Sequence, residues 1–314
     1  MAHDLSAHIP FNMGGLERCE RERTNALWLI EQMESPKARF VGLHNLKVAM
    51  LTHPSLSPAY LKSAEVPIAL ENNMTTLFLG LKGDTPVFAI DVLDQEAAQL
   101  QDVGYSFIDV RTIAMQMHGP DLAIIGHARS MMSWHLKNRY CGNCGTRTLI
   151  LKGGALRKCT NDDCAMEYYP RNDPVVIMLA HKGEKCLLGR QHRFPPKMYS
   201  ALAGFLEHGE SLEEAVRREL HEEAGIHSSR VDYVSSQAWP FEHSIMIACL
   251  AEAAEDMLNI DKEELDDARW VSVEDARAAL AGDPEAPIAV PPDMAIAHHL
   301  VRHWVESFDD SQKN

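Results

Sequence analysis

The stretch GFLEHGESLEEAVRRELHEEAGI, residues 204–226, places seven glutamates in 23 positions, and its local chemistry dictates a helix. Ser211 is placed to cap that helix, Glu214 stands three residues on as the capping-box partner, and Gly225 stops it after Ala224. Within it Glu219, Glu222 and Glu223 fall at i, i+3 and i+4, so the three carboxylates share one face. Such a face is self-repelling unless arginines or divalent cations compensate. Hard cations such as Mg2+ and Mn2+ favour oxygen ligands of this kind and also bind phosphate oxygens, so the helix reads as a metal–pyrophosphate clamp. A solvated acidic helix is the plainer alternative. It does not require the fixed spacing of Gly204, Glu210, Arg218, Glu219, Glu222, Glu223 and Gly225.

Around this helix the chain has room for more than one core: 314 residues at 46% hydrophobic content suggest two or three domains of a globular α/β protein. A formal charge of −15, from 45 acidic and 30 basic side chains, disfavours broad nucleic-acid binding without metal ions or a local basic patch. The N-terminal MAHDLSAHIPFNMGGLERCERER has no continuous apolar core, and no segment reaches 18 uninterrupted apolar residues. No membrane association is expected, and a cytoplasmic location is the default.

Two hairpins stand out. Residues 74–91, MTTLFLGLKGDTPVFAID, read as apolar strands joined at Lys-Gly-Asp, and residues 174–190, PVVIMLAHKGEKCLLGR, repeat the pattern around Lys-Gly-Glu. The pair suggests a decayed internal repeat. Only the second copy is followed by the glutamate cluster, so only that half would have kept chemistry. Residues 120–140 have helical spacing and read as a packed connecting helix. The expected organisation is an N-terminal α+β domain at 1–135, a small ribbon at 136–170 and a catalytic domain at 171–314.

The ribbon rests on four cysteines. Cys141 and Cys144 form one knuckle, and Cys159 and Cys164 follow after 14 intervening residues. Thiolates so spaced suit a tetrahedral Zn2+ site, and four protein ligands leave no open position, so the ion would be structural. A pair of disulfides or free core thiols is the alternative, disfavoured by a reducing compartment and the lack of a signal peptide. Cys19, Cys186 and Cys249 read as ordinary thiols.

Position for position, the 204–226 pattern resembles the Nudix box of enzymes that hydrolyse nucleoside diphosphates linked to another moiety. With the cysteine ribbon before it, EYYPR at 167–171 and SQAWPFEHS at 236–244, the chain is similar to the NADH pyrophosphatase family of Nudix hydrolases from about residue 130 onward. The first 120 or so residues match only loosely. The resemblance implies an α/β/α sandwich for the C-terminal domain. It implies Glu219 and Glu223 as metal ligands, Glu222 as ligand or base, and Arg218 as the residue that orients the carboxylates. It adds Ala203 as a metal ligand through its carbonyl and Glu264 as a further metal-binding glutamate, with Trp270 six residues on fixing the register against Glu263.

For the substrate, the resemblance implies Phe205 as a stacking residue, Tyr169 as a contact from the ribbon edge, Ala297 as a further contact, and the recognition segment Gln237, Ala238, Trp239, Pro240, Phe241, Glu242, His243 and Ser244. Phe205 and Tyr169 are also compatible with ordinary core packing. The family motif Ser-Gln-Pro-Trp-Pro-Phe-Pro-x-Ser has prolines where this chain has Ala238 and Glu242, so a looser loop carrying an added negative charge is expected. The implied activity is hydrolysis of NADH and NAD+ to a nicotinamide mononucleotide and AMP with Mg2+ or Mn2+, and removal of NAD caps from RNA 5′ ends, by a homodimer. The competing readings are a Nudix hydrolase of other diphosphates such as ADP-ribose, and a non-catalytic nucleotide-sensing module, against which the intact glutamates argue.

Overall fold

The computed structural model describes residues 5–65 and 75–311; Met74, at the start of the first predicted hairpin, lies outside the described residues. By compactness the chain divides into two units, one of residues 11–172 with 238–244 and one of residues 1–10, 173–237 and 245–314.

The first unit runs through α1 (Ala26–Glu34), β1 (Arg39–His44), β2 (Lys47–Leu51), β3 (Ser57–Pro58), β4 (Tyr60–Leu61), β5 (Thr76–Lys82), β6 (Thr85–Asp91), α2 (Asp94–Asp102), β7 (Tyr105–Ile108), α3 (Val110–Ala114) and α4 (Pro120–Lys137). Among the described residues its sheet has the order β3-β2-β1-β6-β5, with β4 on β1 and β7 on β2. The predicted hairpin is β5–β6, turned at Gly83, whose φ of 59° suits glycine. The predicted connecting helix is α4, entered through Pro120 at its first turn. It buries Leu122, Ile124, Ile125, Ala128 and Met132. The ribbon follows as β8 (Thr148–Leu151), β9 (Leu156–Cys159) and β10 (Glu167–Tyr168), antiparallel in the order β10-β9-β8.

The second unit comprises β11 (Asp173–Lys182), β12 (Lys185–Arg190), β13 (Leu202–Phe205), α5 (Leu212–Ala224), β14 (Ser228–Trp239), β15 (Ser244–Ala253), β16 (Asp267–Ser272), α6 (Val273–Leu280) and α7 (Ile296–Ser311). Its sheet order is β14-β15-β11-β12-β16, with β13 on β11. β11 explains the layers. Successive side chains of a strand point to opposite faces, and here Val176, Met178 and Ala180 pack with Ala215, Val216 and Leu220 of α5. Ile177 and Leu179 pack with Ala276 of α6 and Leu300, Val301 and Trp304 of α7. The sheet is therefore covered on both faces, the expected α/β/α sandwich. Among the described residues no helix is long and apolar enough to cross a membrane.

Candidate active site

Helix α5 forms where the capping chemistry places it. The Ser211 N–H donates to Glu214 Oε2 at 2.7 Å, and the Glu214 N–H donates to Ser211 Oγ at 3.2 Å. At the other end Gly225 takes φ 70°, and its N–H donates to the His221 carbonyl at 2.9 Å. Its inward face carries Ala215, Val216, Leu220 and Ala224 against the sheet, and two carboxylates, Glu219 and Glu223, are buried on that same side.

Glycine at position 204 is what admits the first of them. On β13, which pairs with β11 at Val176↔Gly204 and Ile177↔Ala203, a Cβ at Gly204 would lie 1.9 Å from the carboxyl carbon of Glu219. Any side chain there displaces that carboxylate. Gly204→Ala is therefore expected to lower kcat about 100-fold or more while the far-ultraviolet spectrum stays that of the wild type. An alanine variant with wild-type kcat would show that the placement of Glu219 is catalytically irrelevant.

Arg218 organises the cluster. Nε and Nη2 donate to the two carboxylate oxygens of Glu210 at 2.6 and 2.9 Å, Nη1 donates to Glu219 at 2.8 Å and Glu222 at 3.0 Å, and Nη2 also donates to the Phe205 carbonyl at 2.9 Å. That uses all five donors of one guanidinium. Hydrogen bonding from Arg218 draws the Glu210 carboxyl down to about 2, so it stays charged as the anchor. Glu210 belongs to the fixed spacing of the sequence pattern, but nothing in its neighbours along the chain announced this role.

The buried carboxylates behave oppositely. Burial pushes Glu223 up to about 8, reinforced by the charges of Glu219 and Glu264 and opposed by the hydrogen bond from the Ala203 backbone. Glu219 is raised by burial and held back by Arg218. Glu264 is exposed, in a turn tied to the end of α5 by the Asn259 and Asp261 N–H groups, which donate to the Ala224 and Glu223 carbonyls at 2.9 and 3.0 Å. Its charge raises both buried glutamates. Trp270, the register mark, lies in β16 opposite Leu187. The result is a set of oxygen donors with unneutralised negative charge over a bare glycine backbone, which suits a hard divalent cation.

The four cysteines also meet. Their sulfurs all lie within 4.8 Å of one another, the one such group of three or more metal-binding side chains among the described residues. Cys141 and Cys164 are 3.7 Å apart and Cys144 and Cys159 are 3.4 Å apart. A tetrahedron with Zn–S bonds near 2.3 Å has edges of about 3.8 Å. The set fits one zinc-sized ion.

The substrate candidates separate. Phe205 is 61% exposed and Tyr169 51% exposed, so neither is a core residue. Gln237 is fully buried. Its Nε2 donates to the Pro10 and Met294 carbonyls at 3.0 and 2.8 Å, and its Oε1 accepts from the Ile296 N–H at 2.9 Å. Ala297 is buried in the first turn of α7, next to that last bond. Ala238, Trp239, Pro240, Phe241, Glu242, His243 and Ser244 fall in the first unit. Trp239 and Phe241 pack edge-on against Phe11, at 6.1 and 5.9 Å between ring centres.

The NUDIX domain model matches residues 170–291, and the model described as NADH pyrophosphatase-like rudimentary NUDIX domain matches residues 34–134. NAD-capped RNA hydrolase NUDT12 of Macaca fascicularis is 34% identical over 331 residues, covering 92% of this chain and 72% of that protein. The chain belongs to the NADH pyrophosphatase family of Nudix hydrolases. NAD-capped RNA hydrolase NudC of Pseudomonas aeruginosa is 32% identical over 242 residues, covering 77% of this chain and 79% of that protein. NAD(P)H pyrophosphatase NUDT13, mitochondrial, of Mus musculus is 38% identical over 217 residues, covering 66% and 61%. Within this family the N-terminal α+β half is a rudimentary Nudix domain, which is the decayed repeat the two hairpins suggested.

Proposed function

We propose that the chain hydrolyses the pyrophosphate of NADH and NAD+ to a nicotinamide mononucleotide and AMP, and removes NAD from RNA 5′ ends. The observation that carries this is the Arg218-held set of Glu210, Glu219 and Glu222 beside the buried Glu223. Glu219, Glu222, Glu223, Glu264 and the carbonyl of Ala203 would hold Mg2+ or Mn2+, which supplies charge neutralisation at phosphorus and acidifies the attacking water. Arg218 keeps Glu219 and Glu222 aimed along one face of α5. Glu222 is the exposed member of the triad, placed as ligand or as acceptor of the proton that water loses. Phe205 presents a ring suited to stacking on a nicotinamide or base, its own carbonyl fixed by Arg218. The four cysteines would hold a structural zinc. A homodimer, a cytoplasmic location and the three-part division at 1–135, 136–170 and 171–314 belong to the same proposal.

The Ala238 and Glu242 departures from the family motif keep ADP-ribose as a second substrate to measure. Product analysis with NADH, NAD+, ADP-ribose and NAD-capped RNA, under Mg2+ and Mn2+ in turn, decides. Nicotinamide mononucleotide and AMP from the dinucleotides is the expected result; turnover of ADP-ribose alone would replace this reading.

A further inference from the structure

Two prolines that would stiffen residues 236–244 are missing, yet the loop tip is gripped by side chains of the rudimentary domain. Arg129, on α4, is only 8% exposed, and its Nη1 donates to the Pro240 carbonyl. Its guanidinium carbon also lies 4.8 Å from the centre of the Phe241 ring, and that of Arg111 lies 3.9 Å from the same ring. Phe241 thus contacts two cations, and Trp239 meets it edge-on at 4.9 Å.

A buried guanidinium is costly. Arg129 Nε finds no hydrogen-bond partner among the described residues, and Arg111 adds like charge, offset by Asp109. Its hydrogen bond to Pro240 and its ring contact with Phe241 both go to the loop.

Phe11 supports the same surface. It is buried with φ 70°, a left-handed conformation costing a non-glycine residue about 1 kcal/mol or more. Its ring occupies space that only glycine leaves at position 126, where a Cβ would come within 2.7 Å of Phe11 Cδ1. The neighbouring Asn12 Oδ1 accepts the Ala238 N–H at 3.0 Å. Lys137, two turns beyond Arg129, pairs with Glu242, the carboxylate that stands where the family motif has proline. The expected loose and uncompensated loop is therefore answered residue by residue: Asn12 at 238, Arg129 at 240 and 241, Lys137 at 242.

We infer that Arg129 is a positioning residue for substrate binding: it seats Pro240 and Phe241, with Lys137 neutralising Glu242, so that the rudimentary domain supplies the loop order that the two absent prolines would otherwise give. This rests on the reading of residues 236–244 as the substrate loop. Preordering of this sort acts on binding more than on the chemical step.

The test is steady-state kinetics of the full chain with NADH and saturating Mg2+, beside the tryptophan emission of Trp239 obtained by difference against Trp239→Phe. In Arg129→Met, KM should rise about tenfold or more with kcat changed less than threefold. Trp239 emission should shift to the red and become easier to quench. Arg129→Lys, which keeps the charge and a donor for Pro240, should recover part of the KM. An Arg129→Met protein with unchanged KM, or one that loses kcat while KM holds, overturns the inference. Should Arg129→Met not fold, the charge exchange decides: Lys137→Glu should raise KM and added Glu242→Lys should restore it, and no restoration overturns the pairing. A wild type that turns over ADP-ribose but not NADH defeats the substrate reading instead; the same variants are then scored on ADP-ribose, and the Trp239 signal reports loop seating whatever the substrate.

Discussion

Replacing Glu223 by glutamine should make the metal-free protein more stable at alkaline pH and nearly inactive at every pH. The carboxyl is held at about 8 in the folded chain against an ordinary value of 4.5, because burial and the charges of Glu219 and Glu264 disfavour its ionised form. A folded state that holds this proton more tightly than the unfolded chain is favoured by it below about pH 4.5, and loses that contribution progressively as pH rises to about 8. Glutamine keeps the shape and never ionises. The gain should be at most a few kcal/mol near pH 8 and vanish near pH 4.5. Turnover should meanwhile fall by about 10^3 or more, since a charged ligand is gone. Thermal unfolding in magnesium-free buffer from pH 4.5 to 9, beside kcat at saturating magnesium, measures both. Near-normal turnover would remove Glu223 from the metal set, and an unchanged stability profile would mean that its charge is compensated in solution. The same proton makes magnesium affinity climb with pH up to about 8, because binding must displace it.

How much of this was legible in the sequence depended on how far each signal reaches. The capping of α5 by Ser211 and Glu214 and its stop at Gly225 are contacts within four residues, so the chain states them directly. The two hairpins announced themselves by turn glycines and apolar runs, and the cysteine set by its spacing. Gln237 shows the limit. Its place in a recognition motif suggested substrate contact, but its amide is spent on Pro10, Met294 and Ile296, partners 227, 57 and 59 residues away. Arg129 is a similar case: in the sequence it is one of several polar positions on α4, and its role depends on Pro240, 111 residues on. The Glu210–Arg218 fork lies between these cases, visible as fixed spacing and unintelligible until the loop before α5 folds back on the helix.

Purified protein should carry about one tightly held zinc per chain, and Cys141→Ser should lower the melting temperature by on the order of 10 °C or more. The ribbon gives the reason. Its three strands span four, four and two residues, and its exposed large side chains include Leu149, Leu151 and Met166, so it has little apolar core of its own. Small units of that kind depend on a metal for their fold. Cys141 is nearly fully buried, with its sulfur 3.0 Å from the Tyr168 hydroxyl and 3.7 Å from Cys164, so a serine there leaves the pocket intact in size while removing one thiolate of four. The loss is expected to spread to α4, because Arg157 of β9 donates to His135 Nδ1 at 3.1 Å and His135 Nε2 reaches the Gly154 carbonyl at 2.9 Å. Arg129 lies on that same helix, so zinc removal should also raise KM for NADH while the glutamate cluster keeps its residual turnover. Elemental analysis of the wild type and calorimetry of Cys141→Ser are the measurements. Zinc-free protein with wild-type melting would mean that the four thiols hold the ribbon together without a metal ion.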